Sequence, residues 1–191
     1  MTPMTIPRTL IGLIGLISTQ LAFAHRGHAE SGIAGGLGHS LTGTVHVLAL
    51  IGFGAWAVLV FRGAAWRLMG GILCAMALGS ILGWLGPALP VLNPIAAVWL
   101  LSTGLLITFF GRFKPVTATA GLVVMAAVQG YAHGATDQAA SDTASFTLGA
   151  VMASALLMAV GASLGGAMRV DRAVQAGGLA LLVCGVLLLI V

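Results

Sequence analysis

The chain has 191 residues, of which 59% are apolar and only 6% are charged. A soluble globular domain carries about 25% charged residues, so this chain cannot cover itself with a hydrated surface. Its pI is about 10.1, yet the eight basic residues are scattered between apolar segments and form no patch, which excludes nucleic acid as a partner. The sequence therefore predicts a membrane protein whose solvent is mostly lipid.

The first 24 residues have the pattern of an export signal. Arg8 precedes a short apolar run at residues 10–17, and Ala22-Phe23-Ala24 has the small-residue spacing that signal peptidase reads. The apolar run is too short to cross about 30 Å of hydrocarbon. We therefore expect cleavage after Ala24 and a mature N-terminus at His25. An uncleaved seventh span is the alternative.

Six apolar segments follow, and each is long enough to cross a bilayer as a helix of about 20 residues. They are predicted at residues 33–61, 64–86, 89–111, 116–134, 144–168 and 173–191. The period-2 alternation of a membrane β-barrel is absent. Pairs of small residues four positions apart, which allow close helix contact, are Gly32/Gly36, Gly79/Gly83, Gly130/Gly134 and Gly161/Gly165. The prediction is an all-α fold: a polytopic membrane helix bundle with one six-helix domain over residues 25–191.

The basic residues predict the orientation of this bundle. Six of them fall in alternate loops, namely Arg62, Arg67, Arg112, Lys114, Arg169 and Arg172, while the opposite side has only Arg26. Loops rich in Lys and Arg stay in the cytoplasm. We therefore expect a multi-pass protein of the bacterial inner membrane with both ends of the mature chain outside, in the periplasm.

The histidines lie on the predicted outer side. His25 and His28 precede the first span together with Glu30, and Asp137 follows the fourth span. Within the spans, His39, His46 and His133 occur with Gln129. Polar groups inside a membrane are functional candidates, and imidazole is the usual ligand of Ni, Co, Zn and Cu ions. These eight residues are the candidate metal ligands.

Spacing supports this hypothesis. Seven residues rotate a helix by about 700°, so His39 and His46 share a face and lie ~10 Å apart along the axis, with Gly43 between them. Gln129 and His133 share a face at i, i+4. Other roles stay open: interhelical hydrogen bonds for a single His or Gln129, and a solvated tail for His25 and His28.

Three further residues carry structural expectations. Thr42 is expected to bond back to its own helix. Cys74 and Cys184 lie in apolar segments and are expected to be buried small residues. The methionines are taken as packing or lipid-facing residues.

At these histidines the chain resembles the HupE/UreJ family of nickel/cobalt permeases. The family motif His-Pro-Leu-x-Gly-x-Asp-His corresponds to residues 39–46 here, with both histidines, Leu41 and Gly43 matching, Ser40 in place of Pro and Val45 in place of Asp. A second motif, close to Phe-His-Gly-x-Ala-His-Gly-x-Glu, corresponds to residues 128–136. Its second His and both glycines match, whereas Gln129 replaces the first His and Thr136 the Glu.

The resemblance implies a permease for a divalent transition metal ion, Ni²⁺ or Co²⁺ first, with Zn²⁺, Cu²⁺ or Fe²⁺ as further candidates. It implies no catalytic activity and no permanently bound cofactor. The expected partners are the lipid bilayer and the transported ion, with a homo-oligomer and a link to hydrogenase or urease maturation left open. A non-transporting metal-binding accessory protein is the first alternative. An intramembrane metal-dependent enzyme is the second, although no HExxH motif occurs.

Overall fold

The computed structural model of the chain describes residues 32–89, 94–136, 142–167 and 170–190. These ranges contain seven α-helices and one short 3₁₀ turn, and no strand occurs within them. The helices are α1 (Gly32–Thr42), α2 (Thr44–Phe61), α3 (Ala65–Leu85), α4 (Ile95–Thr108), α5 (Pro115–Thr136), α6 (Thr143–Ala167) and α7 (Arg172–Ile190), with the 3₁₀ turn at Arg62–Ala64. The predicted all-α class is confirmed.

Four segments of the described chain are long and apolar enough to cross a membrane. They are Thr44–Leu85, which contains both α2 and α3, and the segments Pro115–Ala135, Thr143–Ala167 and Arg172–Ile190, with mean hydropathies between 1.3 and 2.4. Helix α4 is apolar but has only 14 residues. The chain is therefore a multi-pass helical membrane protein, while the count of six spans stays a prediction. The predicted signal peptide, residues 1–24, lies outside the described residues.

The first predicted span is not one continuous helix, and this part of the prediction was wrong. Gly43 separates α1 from α2 with extended backbone angles, φ −71° and ψ 96°. Its N–H still donates to the carbonyl of His39 at 3.1 Å, and its own carbonyl accepts from Val47 N at 2.9 Å. The break therefore bends the span without leaving the Gly43 amide groups unpaired.

Glycines determine which helices pack together. In three of the four predicted pairs of small residues, both glycines contact the backbone of a neighbouring helix. A Cβ atom at Gly79 or Gly83 would collide with the Ala127 or Tyr131 carbonyl of α5, and one at Gly134 with the Ser80 carbonyl of α3. Gly36, Gly149, Gly54 and Gly161 place α6 equally close to α1 and α2. Gly104 and Gly185 do the same for α4 and α7. Gly32 has a positive φ of 71° and makes no such helix contact.

This pairing gives the bundle two different ends. The histidine end consists of α1, the last turns of α3 and α5 and the first turns of α6, and it carries His39 and His133. The basic end consists of the last turns of α2, α4 and α6 and the first turns of α3, α5 and α7. Its described cations are Arg62, Arg67, Arg112, Lys114 and Arg172. Between the ends lies a core of large buried side chains, among them Phe53, Trp99 and Leu100.

The cysteines only partly follow the prediction. Cys184 is buried, but Cys74 is exposed on the outer face of α3, and both are free thiols. Helix α3 turns one side to the lipid, and that side accepts a small polarizable residue as readily as the core does.

Candidate metal centre

Three helices bring their histidines together at one point. His39 comes from α1, His46 from α2 and His133 from α5, and the ring centroids are 5.0 to 5.3 Å apart. One nitrogen atom from each ring lies within 4.8 Å of the others. Nitrogen ligands on one tetrahedral ion with bonds of about 2.0–2.1 Å stand roughly 3.3 Å apart. Small ring movements would therefore let all three histidines contact a single ion.

The break at Gly43 explains why the rings are so close. A continuous helix was predicted to separate His39 and His46 by ~10 Å along its axis, whereas their centroids are 5.3 Å apart. A Cβ atom at Gly43 would lie 3.0 Å from the His39 carbonyl oxygen and 3.1 Å from Nδ1 of His46. Both distances are tighter than ordinary van der Waals contact, so glycine allows the bend and leaves space for the His46 ring.

The protonation pattern of His133 follows from its backbone contact. Its Nδ1 lies 3.0 Å from the carbonyl oxygen of Gln129, one turn earlier in α5, and must donate to it. The Nε2 atom of a neutral His133 therefore carries the lone pair. That lone pair faces Nε2 of His39 at 3.0 Å, so His39 is the donor in this contact. Such a backbone bond orients a metal-binding imidazole in many proteins.

Gln129 links the cluster across helices. Its Nε2 donates to Nε2 of His46 at 2.9 Å, which leaves the proton of a neutral His46 on Nδ1. The Gln129 side chain is 6% exposed, and its Oε1 is buried without a hydrogen-bond partner. An unpaired buried amide oxygen is unfavourable by about 1–3 kcal/mol. Gln129 is therefore the predicted interhelical hydrogen-bond group, and its Oε1 is also available as a metal ligand beside the histidines.

The cluster is open on one side and closed on the other. His39 is exposed, whereas His46 and His133 are half-buried. Below them lies a cavity of about 20 Å³, room for about one water molecule. Its wall includes Ser40, Met76, Ser154 and Met158. A ligand could therefore reach His39 first, while apolar side chains block the way toward the basic end.

The cluster is built only from neutral groups within the described residues. The three histidines form the metal-competent group there, with no carboxylate among them. Val45, which stands where the family motif has Asp, packs against the apolar core. Thr42 donates to the Gly38 carbonyl at 2.7 Å, as predicted for back-bonding within its own helix. The Thr42 hydroxyl is therefore engaged by its own helix.

The remaining predicted ligands, His25, His28, Glu30 and Asp137, lie outside the described residues, so only four of the eight can be located. Sequence reasoning missed the wall of the cavity. Met76 is 9% exposed and Met158 only 1%, and Ser154 donates to the Ala150 carbonyl at 2.8 Å. Apolar and small residues within apolar spans give no signal in a single sequence, so their position could not have been found. Met76 and Met158 are packing residues, as predicted for the methionines.

The arrangement suits a borderline transition metal ion. Three imidazoles and an amide oxygen match the ligand preference of Ni²⁺, Co²⁺, Zn²⁺ and Cu²⁺ better than that of Mg²⁺ or Ca²⁺, which take oxygen ligands. Fold and site together define a multi-pass helical membrane protein with a histidine cluster whose ligand atoms are close enough to hold such an ion.

Comparison with known proteins identifies the family. The model of the HupE / UreJ protein family matches residues 13–188. The chain is 30% identical over 152 residues to Protein HupE of Rhizobium leguminosarum bv. viciae, covering 80% of each chain. No solved structure matches. The chain belongs to the HupE/UreJ family, as the motifs around His39, His46 and His133 predicted.

Proposed function

We propose that this protein is a membrane permease for a divalent transition metal ion, with Ni²⁺ or Co²⁺ as the first candidates from family membership. The observation that supports this most is the meeting of His39, His46 and His133 from three helices, with ligand atoms within 4.8 Å. A single histidine in a span could serve as a packing group. Three that meet at one point can replace much of the hydration shell that an ion loses on entering a membrane.

The geometry suggests an order of events. The ion meets exposed His39 first. Because Nε2 of His39 donates to His133 at 3.0 Å, coordination through this atom requires the other neutral tautomer of His39, in which the proton is on Nδ1 and the Nε2 lone pairs of both rings are free for the ion. His133 Nε2 is already oriented by the Gln129 carbonyl. Nε2 of His46 becomes a ligand once the Gln129 amide no longer donates to it. A rotation of that amide brings Oε1 of Gln129 toward the ion.

Neutral ligands bind the ion weakly and therefore favour its release. Without a carboxylate in the cluster, the positive charge of a bound divalent ion stays uncompensated, and binding is weaker than at an acidic site. Weak binding suits a carrier that must deliver its ion. The sequence has no Walker ATP-binding motif. The membrane potential can drive the ion inward instead, with about 2.3 kcal/mol per elementary charge per 100 mV.

The proposal includes an orientation with the histidine end outside. It rests on the basic residues at the opposite end and on the predicted export signal. Mass spectrometry of the purified protein should find His25 as the first residue, and a reporter fused after Val191 should be active outside the cytoplasm. Retention of residues 1–24, or a reporter active only in the cytoplasm, would refute this layout.

Metal accumulation by whole cells tests the function directly. Cells lacking their own nickel and cobalt uptake would express the chain and be supplied separately with Ni, Co, Zn, Cu and Fe ions at low concentration. We expect accumulation of nickel or cobalt above that of cells with an empty vector. If none of the five metals accumulates, the permease proposal fails.

An accessory protein that binds metal without moving it is the second candidate. The observation that favours it is the closed wall below the cluster, where buried Leu50, Trp99 and Met158 separate the histidines from the basic end. Equilibrium metal binding to the purified protein distinguishes the two. Binding without accumulation supports the accessory role, and binding with accumulation supports the permease.

A further inference from the structure

A second cavity lies at the opposite end of the bundle, far from the histidines. It has a volume of about 300 Å³, many times the cavity beneath the cluster. Trp56 and Val60 in the last turns of α2 form one wall, and Phe109 and Phe113 in the connection between α4 and α5 form the other. The cavity is thus an apolar groove at the basic end.

The groove exists because α4 ends early. Its 14 residues span about 21 Å, whereas a helix needs about 20 residues to cross the hydrocarbon. After Thr108 the helix ends, and Gly111 in the following turn adopts a φ of 78° that favours glycine. Phe109 and Phe113 are each 43% exposed, so this wall of the groove is open to the surroundings of the bundle, whereas Trp56 is buried. Apolar walls of this kind in a membrane protein face lipid chains.

Cations lie close in sequence to the residues that line the groove. Arg62 directly follows α2, and Arg112 and Lys114 alternate with the lining residues Gly111, Phe113 and Pro115. Asp171 is the carboxylate of the described chain at this end. It is engaged in capping α7, accepting from Ala173 N at 2.9 Å and Val174 N at 3.0 Å. Both bonds hold this carboxylate at the N-terminus of its own helix α7.

We propose that this groove binds one anionic phospholipid. An acyl chain would pack against the walls formed by Val60, Phe109 and Phe113, and the phosphate would lie among Arg62, Arg112 and Lys114. An apolar groove with three cations close in sequence to its lining residues complements a molecule that joins an apolar chain to a negative headgroup. The site is independent of the metal centre and does not rest on the proposed transport.

Native mass spectrometry of the full-length protein in detergent tests this. The probes are phosphatidylglycerol and phosphatidylethanolamine, titrated separately. We expect a single tightly retained phosphatidylglycerol and weaker retention of phosphatidylethanolamine. Each cation near an anionic lipid strengthens binding about fivefold, so the double variant Arg112→Ala/Lys114→Ala should bind phosphatidylglycerol roughly 25-fold more weakly.

Two further variants distinguish a site from a general charge effect. Arg67→Ala removes a cation at the same end that is placed over the Trp66 ring at 5.3 Å, outside the groove, and should leave binding unchanged. Val60→Trp keeps every charge but fills the groove, and should abolish the retained lipid.

Several outcomes would overturn the proposal. They are equal retention of both lipids, equal losses in the Arg67 and Arg112/Lys114 variants, or unaltered binding in Val60→Trp. A dimer of the purified protein that Val60→Trp converts to a monomer would assign the groove to a second copy of the chain instead.

Discussion

The histidine end and the basic end of this bundle are built from the same residue types but packed differently. At the histidine end, glycines such as Gly36, Gly83 and Gly134 sit directly against the backbone of a neighbouring helix. At the basic end, six glycines have open space at the position where a Cβ atom would be added, with no atom within 4 Å. They are Gly63, Gly70, Gly71, Gly111, Gly121 and Gly177. Four glycines in the last turns of α4 and α6 and the first turns of α7 are close-packed exceptions there, namely Gly104, Gly161, Gly165 and Gly178.

This difference separates two uses of a membrane helix. Helices locked at backbone distance hold His39, His46 and His133 at fixed mutual positions, which a ligand site needs. Loosely packed ends leave grooves and carry charges that contact the lipid headgroups, which sets orientation and lipid contacts. Substitutions of polar residues at the histidine end are therefore expected to change metal binding, and substitutions at the basic end are expected to change lipid binding.

The largest effect should come from removing a cluster histidine. Replacing His39, His46 or His133 by Ala takes away one of three ligands, and metal accumulation should fall by on the order of 10- to 100-fold. Thr42→Ala is the matched control, because Thr42 lies in the same region but bonds only its own helix at Gly38. Immunoblots of membranes should show equal protein. If all three alanine variants transport metal at the level of the wild type, the path of the ion does not pass through these histidines.

A glycine pair on α3 tests the packing difference itself. Gly83→Ala places a Cβ against the Tyr131 carbonyl of α5, and overpacking of this kind is destabilising by about 1–3 kcal/mol. Gly71→Ala, about three turns earlier on the same helix, meets no atom within 4 Å and should be neutral or slightly stabilising. Thermal unfolding in detergent measures both. Equal effects of the two substitutions would remove the basis for distinguishing the ends.

The sequence predicted the helical class, the family and which histidines belong together, because spacing and composition carry that information. It could not predict the break at Gly43, since glycine is also tolerated within continuous membrane helices. The early end of α4 was hidden by Phe109 and Phe110, which extend its apolar run beyond the helix. The cavity wall depends on Met76 and Ser154, whose positions are set by helix rotation rather than by residue type.

The bend at Gly43 offers a subtler test of the cluster. Gly43→Ala adds a methyl group 3.1 Å from Nδ1 of His46 and favours a continuous helix, so the His46 ring should move away from His39. We expect several-fold weaker metal binding by the purified protein, with little change in unfolding temperature. Gly121→Ala, which meets no atom within 4 Å, is the control. Unchanged binding in Gly43→Ala would show that the close approach of the two rings is not required.

The smallest effect should come from Gln129, and its sign depends on the substitution. Gln129→Leu removes the amide that donates to His46 and the unpaired Oε1, so metal binding should weaken by only about two- to threefold, because all three imidazoles remain. Gln129→His restores the residue of the family motif and adds a fourth imidazole on the face of α5 that carries His133. It should strengthen binding instead. The measurement is a metal titration of each purified variant, with retention of the folded state checked by thermal unfolding. Weakening by both substitutions to the same extent would mean that Gln129 only holds α2 and α5 together, whereas opposite signs would identify its position as part of the ligand set.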